Sequence, residues 1–180
     1  KFGGTSVGSA ERIKSVANLI NNDERKIVVL SAMSGTTNSL VEIAGYLYKK
    51  NHDSANEAII NLEQNYYAVV NDLYTTSEFK DKGAELIKSH FNYIKSFTQD
   101  MFTLYEEKAI LAQGELLSTA LMHFYLTENN IESVLLPALN FMRTDKDSEP
   151  DLFYIRENIK REIEANLNNK LFITQGFICR

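Results

Sequence analysis

The sequence has a single cysteine, no run of apolar residues long enough to cross a membrane, and no block of basic residues. The lone cysteine, Cys179, cannot form a disulfide within the chain, which excludes a disulfide-held secreted domain and fits a reducing cytoplasm. A membrane-spanning helix needs about 18 or more consecutive apolar residues, so none is expected. The formal net charge is −5, and without a basic block the chain is not expected to bind nucleic acid.

Metal-ligand spacing is also missing. The three histidines, His52, His90 and His123, do not have the spacing of a metal site. No pair of carboxylates indicates a metal ion held by the protein itself. We therefore interpret the histidines as ordinary surface or core residues and predict no protein-held metal.

The chain opens on a segment with the features of a phosphate-binding turn. A lysine precedes two adjacent glycines and two hydroxyl residues, in the order Lys1-Phe2-Gly3-Gly4-Thr5-Ser6-Val7. Glycines let the backbone approach a ligand, successive backbone N–H groups can hold an anion, and the lysine adds a mobile positive charge. The spacing matches neither G-x-x-x-x-G-K-S/T nor G-x-G-x-x-G, so an ordinary tight turn beside a solvated lysine remains an alternative on spacing alone.

The apolar pattern that follows predicts an α/β fold with a parallel sheet. Ser9 is predicted to cap a helix that buries its apolar residues from Ile13 to Ile20. Residues 27–30 form an unbroken apolar run, which is typical of a strand buried on both faces. Together with a strand before the first turn, these elements form a βαβ unit. Further strands are predicted at 132–137 and 170–174, and a further helix from Pro150.

Residues 52–103 are predicted to form two long helices. Ser54 with Glu57 has the spacing of a capping box, and a turn is predicted at 74–77. The second helix carries apolar residues at three- and four-residue steps, a pattern that more often faces a core than a cofactor. These residues are Ile87, Phe91, Ile94, Phe97, Met101 and Leu104. We interpret the pair as a helical hairpin attached to the sheet, with a subunit contact as the alternative.

Several polar residues near the ends of predicted elements allow two interpretations. Thr36, Thr37 and Asn38 follow a predicted strand, and we expect them both to cap the next helix and to contact a ligand. Glu115 is either a surface carboxylate near a helix start or a buried one that meets a substrate amino group. Arg143 could approach the site, although an ordinary surface ion pair is the simpler interpretation.

Four segments, in order, resemble the signature motifs of the aspartate kinases, within the amino acid kinase superfamily. They are KFGGTSV at 1–7, LSAMSGTTN at 30–38, QGELLST at 113–119 and ITQGFI at 173–178. The resemblance extends from the first residue nearly to the last, and four ordered motifs are far more specific than one. It favours the phosphate-binding interpretation of the first turn and the buried interpretation of Glu115.

The resemblance implies a three-layer α-β-α sandwich around a mostly parallel sheet, with the C-terminal part of the fold missing. Residues 1–180 would be the N-terminal portion of a single amino acid kinase domain, with a helical hairpin inserted at about 53–110. We expect the chain to be cut at both ends. The nucleotide-binding portion and the regulatory ACT domains of the resembled proteins would lie outside it.

The activity implied by the resemblance is phosphoryl transfer from MgATP to the side-chain carboxylate of L-aspartate. The product would be 4-phospho-L-aspartate, the first intermediate towards lysine, threonine and methionine. Magnesium would arrive with the nucleotide, and the full-length protein would be a cytoplasmic homo-oligomer. The fragment alone would hold half of a site and would be inactive.

The same resemblance implies roles for individual residues. Lys1 would bind phosphate oxygens and stabilise the charge that builds during transfer, with Phe2, Gly3 and Gly4 at the same nucleotide phosphates. The substrate-binding residues would be Ser31, Thr37, Glu115, Gly176 and Phe177. The two hydroxyl residues would hold aspartate, Glu115 would contact its α-amino group, and the last two would line its pocket.

Two other functions remain open at this point. Acetylglutamate, glutamate and uridylate kinases share the fold and a phosphate-binding lysine, although they do not as a rule open with this segment. A non-catalytic amino-acid-binding module descended from a kinase is the alternative from a different class. A glycine- and serine-rich nucleotide segment further along the full gene would discriminate between an enzyme and such a module.

Overall fold

A computed structural model describes residues 1–98 and 101–180 and confirms the predicted α/β fold. The strands are β1 (Lys26–Leu30), β2 (Val134–Leu136) and β3 (Leu171–Gln175). The helices are α1 (Ala10–Ile20), α2 (Thr36–Tyr48), α3 (His52–Leu73), α4 (Ser77–Ser96), α5 (Leu104–Leu111), α6 (Gln113–Glu128), α7 (Ala138–Phe141) and α8 (Leu152–Glu164), and a 3₁₀ turn covers Gly4–Val7. Within the described ranges, no helix is both long enough and apolar enough to cross a membrane.

The strands run parallel in the order β1-β3-β2. Lys26 of β1 lies opposite Leu171 of β3, and Val134 of β2 lies opposite Phe172. On the other side of β1, Phe2 makes a single parallel bridge with Leu30. Because parallel strands end at the same edge of a sheet, the turns that follow Phe2, β1 and β3 come together there.

The two faces of the sheet are covered unequally. One face packs into the main core through Val28, Leu30, Leu171 and Ile173. The other face has a small cluster of Leu136, Phe141 and Phe172. Ile27 points away from the main core and is 40% exposed, so the prediction that this strand is buried on both faces is wrong. The strand with that property is β3, which lies between two neighbours and is buried at every residue.

Helices α3 and α4 form the predicted hairpin, with Tyr66 and Phe91 packed between them at a ring-centroid distance of 5.8 Å. The predicted capping box at Ser54 and Glu57 is wrong. Asn51 is the N-cap of α3, and its side chain accepts a hydrogen bond from the Ser54 N–H. Ser54 therefore already lies within the first turn of the helix.

The second long helix ends earlier than its apolar pattern predicted. It stops at Ser96, and Met101 and Leu104 are 86% and 60% exposed rather than part of the core. Thr103 and Glu106 form a capping box that starts α5, so the chain begins a new helix there. Residues 99 and 100, which the predicted helix included, lie outside the described residues.

The segment after α6 also differs from its prediction. β2 covers only part of the predicted strand, and the short helix α7, which was not predicted, follows it. The predicted helix after Pro150 is confirmed as α8, with the Asp151 side chain accepting a hydrogen bond from the Tyr154 N–H. None of the residues of α8, all of them described, is fully buried, and Leu152 is 74% exposed.

Candidate active site

An open cavity of about 580 Å³ lies at the edge of the sheet where the strands end. It brings together most of the residues predicted to form a site. These are Lys1, Gly4, Ser31, Thr37, Glu115, Gly176 and Phe177. They come from the opening turn, the turn after β1, the first turns of α2 and α6, and the turn after β3.

The opening turn is held against the end of β1 by backbone hydrogen bonds. The Phe2 N–H donates to the Val29 carbonyl at 2.9 Å, and the Ser31 N–H donates to the Phe2 carbonyl at 3.2 Å. A Cβ atom at Gly4 would lie 2.8 Å from the Ala32 carbonyl oxygen, whereas one at Gly3 would meet nothing within 4 Å. Gly4 is therefore required for the two turns to approach each other, and the space beside Gly3 is open.

Phe2 and Gly3 are the two predicted site residues outside the lining of this cavity. The Phe2 side chain packs against the main core and lines a separate groove with Thr5 and Leu19. A contact of Phe2 or Gly3 with phosphate would have to come from the backbone, and it stays a prediction.

The turn after β1 enters α2 without a side-chain cap. Gly35 is the N-cap residue, with φ +84°, and no side chain accepts a hydrogen bond at this helix end. Thr36 points inward and is buried, while Thr37 and Asn38 line the cavity. The capping prediction for residues 36–38 is therefore wrong. The start of α2 instead faces the cavity, where its backbone N–H groups favour an anion.

Glu115 is buried, with 5% of its surface exposed, so its surface interpretation is wrong. Its Oε1 accepts a hydrogen bond from the Ala32 N–H at 3.1 Å. Burial raises the pKa of Glu115 above its ordinary value, and this hydrogen bond offsets part of the rise. Within residues 1–98 and 101–180, no lysine, arginine or histidine forms an ion pair with this carboxylate. A cationic ligand group in the cavity would supply the missing counter-ion.

The residue before it, Gly114, lets α6 approach the turn after β1. A Cβ atom at Gly114 would lie 2.7 Å from the Ala32 Cβ and 3.1 Å from the Thr36 Cγ2. This approach is what places Glu115 beside the backbone of Ala32. The sequence placed a glycine there without indicating which element required it.

The turn after β3 completes the lining. The Gly176 N–H donates to the Leu30 carbonyl at 2.8 Å, which ties this turn to the end of β1. Phe177 has φ +65°, which is uncommon for a bulky residue, and the residue is 79% exposed. An exposed aromatic ring thus stands at the rim of the cavity.

A buried polar network behind the cavity was not predicted residue by residue. The Ser118 hydroxyl donates to the Ser31 carbonyl at 2.7 Å. The Gln175 side chain donates to the Thr119 hydroxyl and accepts from the Ala138 N–H, both at 2.8 Å. The only signal in the sequence was that Ser118, Thr119 and Gln175 belong to two of the four motif segments.

Other polar residues discussed above lie elsewhere. Arg143 forms an ion pair with Asp151, and its guanidinium lies 4.1 Å from the Tyr154 ring centroid, which confirms the simpler interpretation. His90 and His123 make side-chain hydrogen bonds to Gln113 and Ser133, and burial lowers the pKa of both imidazoles.

The donors of the cavity suit a phosphoryl group better than a bare metal ion. Lys1 supplies a positive charge, the first turn of α2 supplies backbone N–H groups, and Ser31 and Thr37 supply hydroxyls. In the part of the chain that the structure describes, no group of at least three histidine, cysteine, aspartate or glutamate residues is placed to hold a metal ion. A metal ion bound to the phosphates of a nucleotide is compatible with this lining.

Comparison with known proteins gives a consistent result. The model of the family described as "Amino acid kinase family" matches residues 1–180. Lysine-sensitive aspartokinase 3 of Escherichia coli (strain K12) is 29% identical over 193 residues, which cover 99% of this chain and 40% of that protein. The chain therefore spans about two fifths of the length of this relative.

Two crystal structures of E. coli aspartokinase III resemble the fold closely. The complex with lysine and aspartate, named the T-state, has a TM-score of 0.80 at 25% identity. The complex with aspartate and ADP, named the R-state, has a TM-score of 0.79 at 26% identity. Each match covers 99% of this chain and 40% of the other.

Proposed function

The chain belongs to the amino acid kinase family, and we propose that it forms part of the catalytic domain of an aspartate kinase. The reaction is phosphoryl transfer from MgATP to the side-chain carboxylate of L-aspartate, giving 4-phospho-L-aspartate. The observation that carries the proposal is one cavity that joins Lys1, beside a glycine turn, to Glu115, a buried carboxylate with no ion-pair partner among the residues that the structure describes. The aspartate and ADP complexes of the E. coli structures support the same substrates.

Glu115 receives the α-ammonium group of aspartate. A buried carboxylate whose pKa is raised by burial is poorly stabilised when the site is empty. An ammonium group would stabilise the ionised carboxylate of Glu115 through a charge-assisted hydrogen bond. The Ala32 N–H donates to one oxygen of the carboxylate, and we assign the other oxygen to the ligand.

Lys1 acts on the transferred phosphoryl group rather than on aspartate. Phosphoryl transfer needs positioning and charge neutralisation more than covalent chemistry from the protein. Lys1 binds phosphate oxygens and stabilises the charge that develops on them, with backbone N–H groups of Gly3 and Gly4 at the same phosphates. The acceptor carboxylate is ionised at neutral pH, so no residue has to remove a proton from it.

The remaining lining residues place the acceptor. Ser31 and Thr37 donate hydrogen bonds to aspartate from two sides of the turn between β1 and α2. Gly176 leaves room for it, and the exposed Phe177 ring covers it from the rim. When bound, MgATP supplies the phosphoryl group and its metal neutralises charge on the phosphates.

The test compares two glutamates on α6 in the full-length protein. Glu115→Gln keeps the size of the side chain but removes the charge opposite the substrate ammonium. The full cost of breaking a desolvated charge pair is about 3–5 kcal/mol, and a cavity open to solvent lowers it, so we expect the KM for aspartate to rise about tenfold or more. The KM for ATP should stay close to the wild-type value.

The matched control is Glu128→Gln, at the other end of the same helix. Glu128 accepts hydrogen bonds from the Thr75 and Thr76 N–H groups and does not line the cavity. It should lower stability without a selective effect on aspartate. Wild-type values of both Michaelis constants for Glu115→Gln would show that the aspartate site has been misplaced.

A further inference from the structure

The helical hairpin α3–α4 makes two polar contacts beside the site, one buried and one partly buried. Tyr66 of α3 lies with its hydroxyl 3.0 Å from the Thr36 hydroxyl. His90 of α4 lies with its Nδ1 2.6 Å from Oε1 of Gln113. Thr36 and Gln113 are close in sequence to residues that line the cavity. Thr36 directly precedes Thr37, and Gln113 lies two positions before Glu115.

Thr36 is fixed from both sides. Its hydroxyl meets Tyr66, and its Cγ2 would lie 3.1 Å from a Cβ atom at Gly114. Thr36 is 3% exposed and Tyr66 is 2% exposed, so neither hydroxyl has water as a substitute partner. Loss of the Tyr66 hydroxyl therefore leaves the Thr36 hydroxyl without a partner, unless Thr36 moves.

The first turn of α2 depends on this contact because it has no side-chain cap. The N-cap residue Gly35 has no side chain to cap the helix, so the turn is held by backbone hydrogen bonds, such as that from the Thr36 N–H to the Met33 carbonyl at 3.0 Å, and by the side chain of Thr36. Thr36 is the first residue of α2, and its neighbours Gly35 and Thr37 both line the cavity. Anchoring Thr36 thus sets where the donors of this turn point.

We propose that Tyr66 is a positioning residue for substrate, which acts through Thr36 to hold the first turn of α2 against the cavity. The inference rests on the proposed function, because it assigns aspartate to that cavity. The hairpin then does more than extend the core, since one of its buried side chains sets the geometry of the acceptor site.

The experiment replaces two equally buried tyrosines by phenylalanine in the full-length protein. Tyr66→Phe removes the hydroxyl at Thr36. Tyr74→Phe removes a hydroxyl that donates to the Leu121 carbonyl at 2.9 Å, nearly two turns along α6 from Glu115. Both lose one buried hydrogen bond and keep their rings, so they match in their cost to stability.

The two variants should differ in their kinetics. We expect Tyr66→Phe to raise the KM for aspartate about three- to tenfold, the range that one buried hydrogen bond allows, with the KM for ATP near the wild-type value. Tyr74→Phe should leave both constants near wild type. Equal effects of the two variants on aspartate would overturn the inference, because Tyr66 would then contribute only to folding.

Thr36 provides an independent measurement if Tyr66→Phe folds poorly. Thr36→Val keeps the shape of the side chain and should match the kinetics of Tyr66→Phe, whereas Thr36→Ser keeps the hydroxyl and should restore aspartate binding. The double variant Tyr66→Phe with Thr36→Val should be no worse than either single change. Additive effects would contradict a shared contact.

Failure of this inference is distinguishable from failure of the proposed function. A wild-type protein without aspartate-dependent ATP turnover contradicts the proposed function itself. An active wild-type protein in which Tyr66→Phe behaves as Tyr74→Phe contradicts only the role of Tyr66.

Discussion

Helices α2 to α6 and the turns at the strand ends fit together closely, whereas α7 and α8 only cover the opposite face of the sheet. On the first side, added Cβ atoms at Gly4 and Gly114 would come within 3 Å of neighbouring atoms, and buried side chains such as Gln175 are hydrogen-bonded. On the second side, α8 has no fully buried residue, and the ion pair of Arg143 with its N-cap residue Asp151 is partly exposed. Close packing is therefore found on the side of the molecule that carries the candidate site.

The largest expected effect compares two phenylalanines, one on each side. Phe91 is fully buried in the hairpin, and Phe153 on α8 is 78% exposed. Phe91→Ala should lower the free energy of unfolding by about 3–5 kcal/mol because it leaves a cavity. Phe153→Ala should change it by no more than about 0.5 kcal/mol. Urea unfolding of both variants makes the measurement, and similar losses would show that α8 is integrated into the core after all.

The second comparison concerns two cations. Lys1 lines the cavity, and Arg143 pairs with Asp151 on the opposite side. Lys1→Ala should lower kcat of the full-length enzyme about a hundredfold or more, since it removes a preorganised charge, and should change the KM for aspartate much less. Arg143→Ala should leave kcat unchanged. Near-normal turnover of the Lys1 variant in steady-state assays would remove Lys1 from the mechanism.

The third comparison concerns two helical glycines. Gly114 is crowded by Ala32 and Thr36, while a Cβ atom at Gly45 of α2 would meet nothing within 4 Å. Gly114→Ala should destabilise the protein by about 1–3 kcal/mol through overpacking. Gly45→Ala should stabilise it by up to about 1 kcal/mol, because alanine is the better helix former. Thermal unfolding of both variants measures the two changes in stability. An unchanged stability of Gly114→Ala would mean that the turn after β1 can move to make room for the added methyl group.

The smallest expected effect is the pH dependence of two carboxylates. Burial raises the pKa of Glu115, so the stability that its protonated form contributes is present at low pH and is lost as pH rises through the raised pKa. The hydrogen bond from Arg143 lowers the pKa of Asp151, so its contribution is present above the ordinary aspartate value and is lost as pH falls through the lowered pKa.

Melting temperatures measured across acidic pH separate the two groups. Relative to wild type, Glu115→Gln should gain stability as pH rises past the ordinary glutamate value towards the raised pKa of Glu115. Asp151→Asn should lose stability relative to wild type at lower pH, as pH rises from the lowered pKa of Asp151 to the ordinary aspartate value. Parallel curves for wild type and Glu115→Gln would mean that Glu115 titrates alike in the folded and unfolded chain.

Local patterns in the sequence predicted much of the fold. The Ser9 cap, the strands that became β1 and β3, and the long helices α3 and α4 depend on neighbouring residues, and their existence was predicted correctly. Element boundaries were harder, because competing caps decide them. Asn51 starts α3 ahead of Ser54, and the box of Thr103 and Glu106 separates α5 from the predicted long helix.

The site divides in the same way. That Lys1, Glu115 and Gly176 come together in one cavity could be predicted, because they stand within motif segments of the sequence, and their roles there stay predictions. Tyr66 could not, since its partner Thr36 lies 30 residues away and nothing in the spacing connects them. The wrong assignment of Ile27 has a similar cause, because the covering of each sheet face depends on distant helices.

The position of β3 has a consequence for synthesis of the protein. β3 separates β1 from β2 in the sheet, although it follows both in the sequence. As the chain leaves the ribosome, β1 and β2 are made before the strand that joins them, so neither can pair with β3 during that interval. Helices α3 and α4 need only local contacts and can form in the meantime. Slowing translation near residue 171, or pausing it there, should therefore lengthen the period in which a nascent chain exposes unpaired strand edges and needs chaperones.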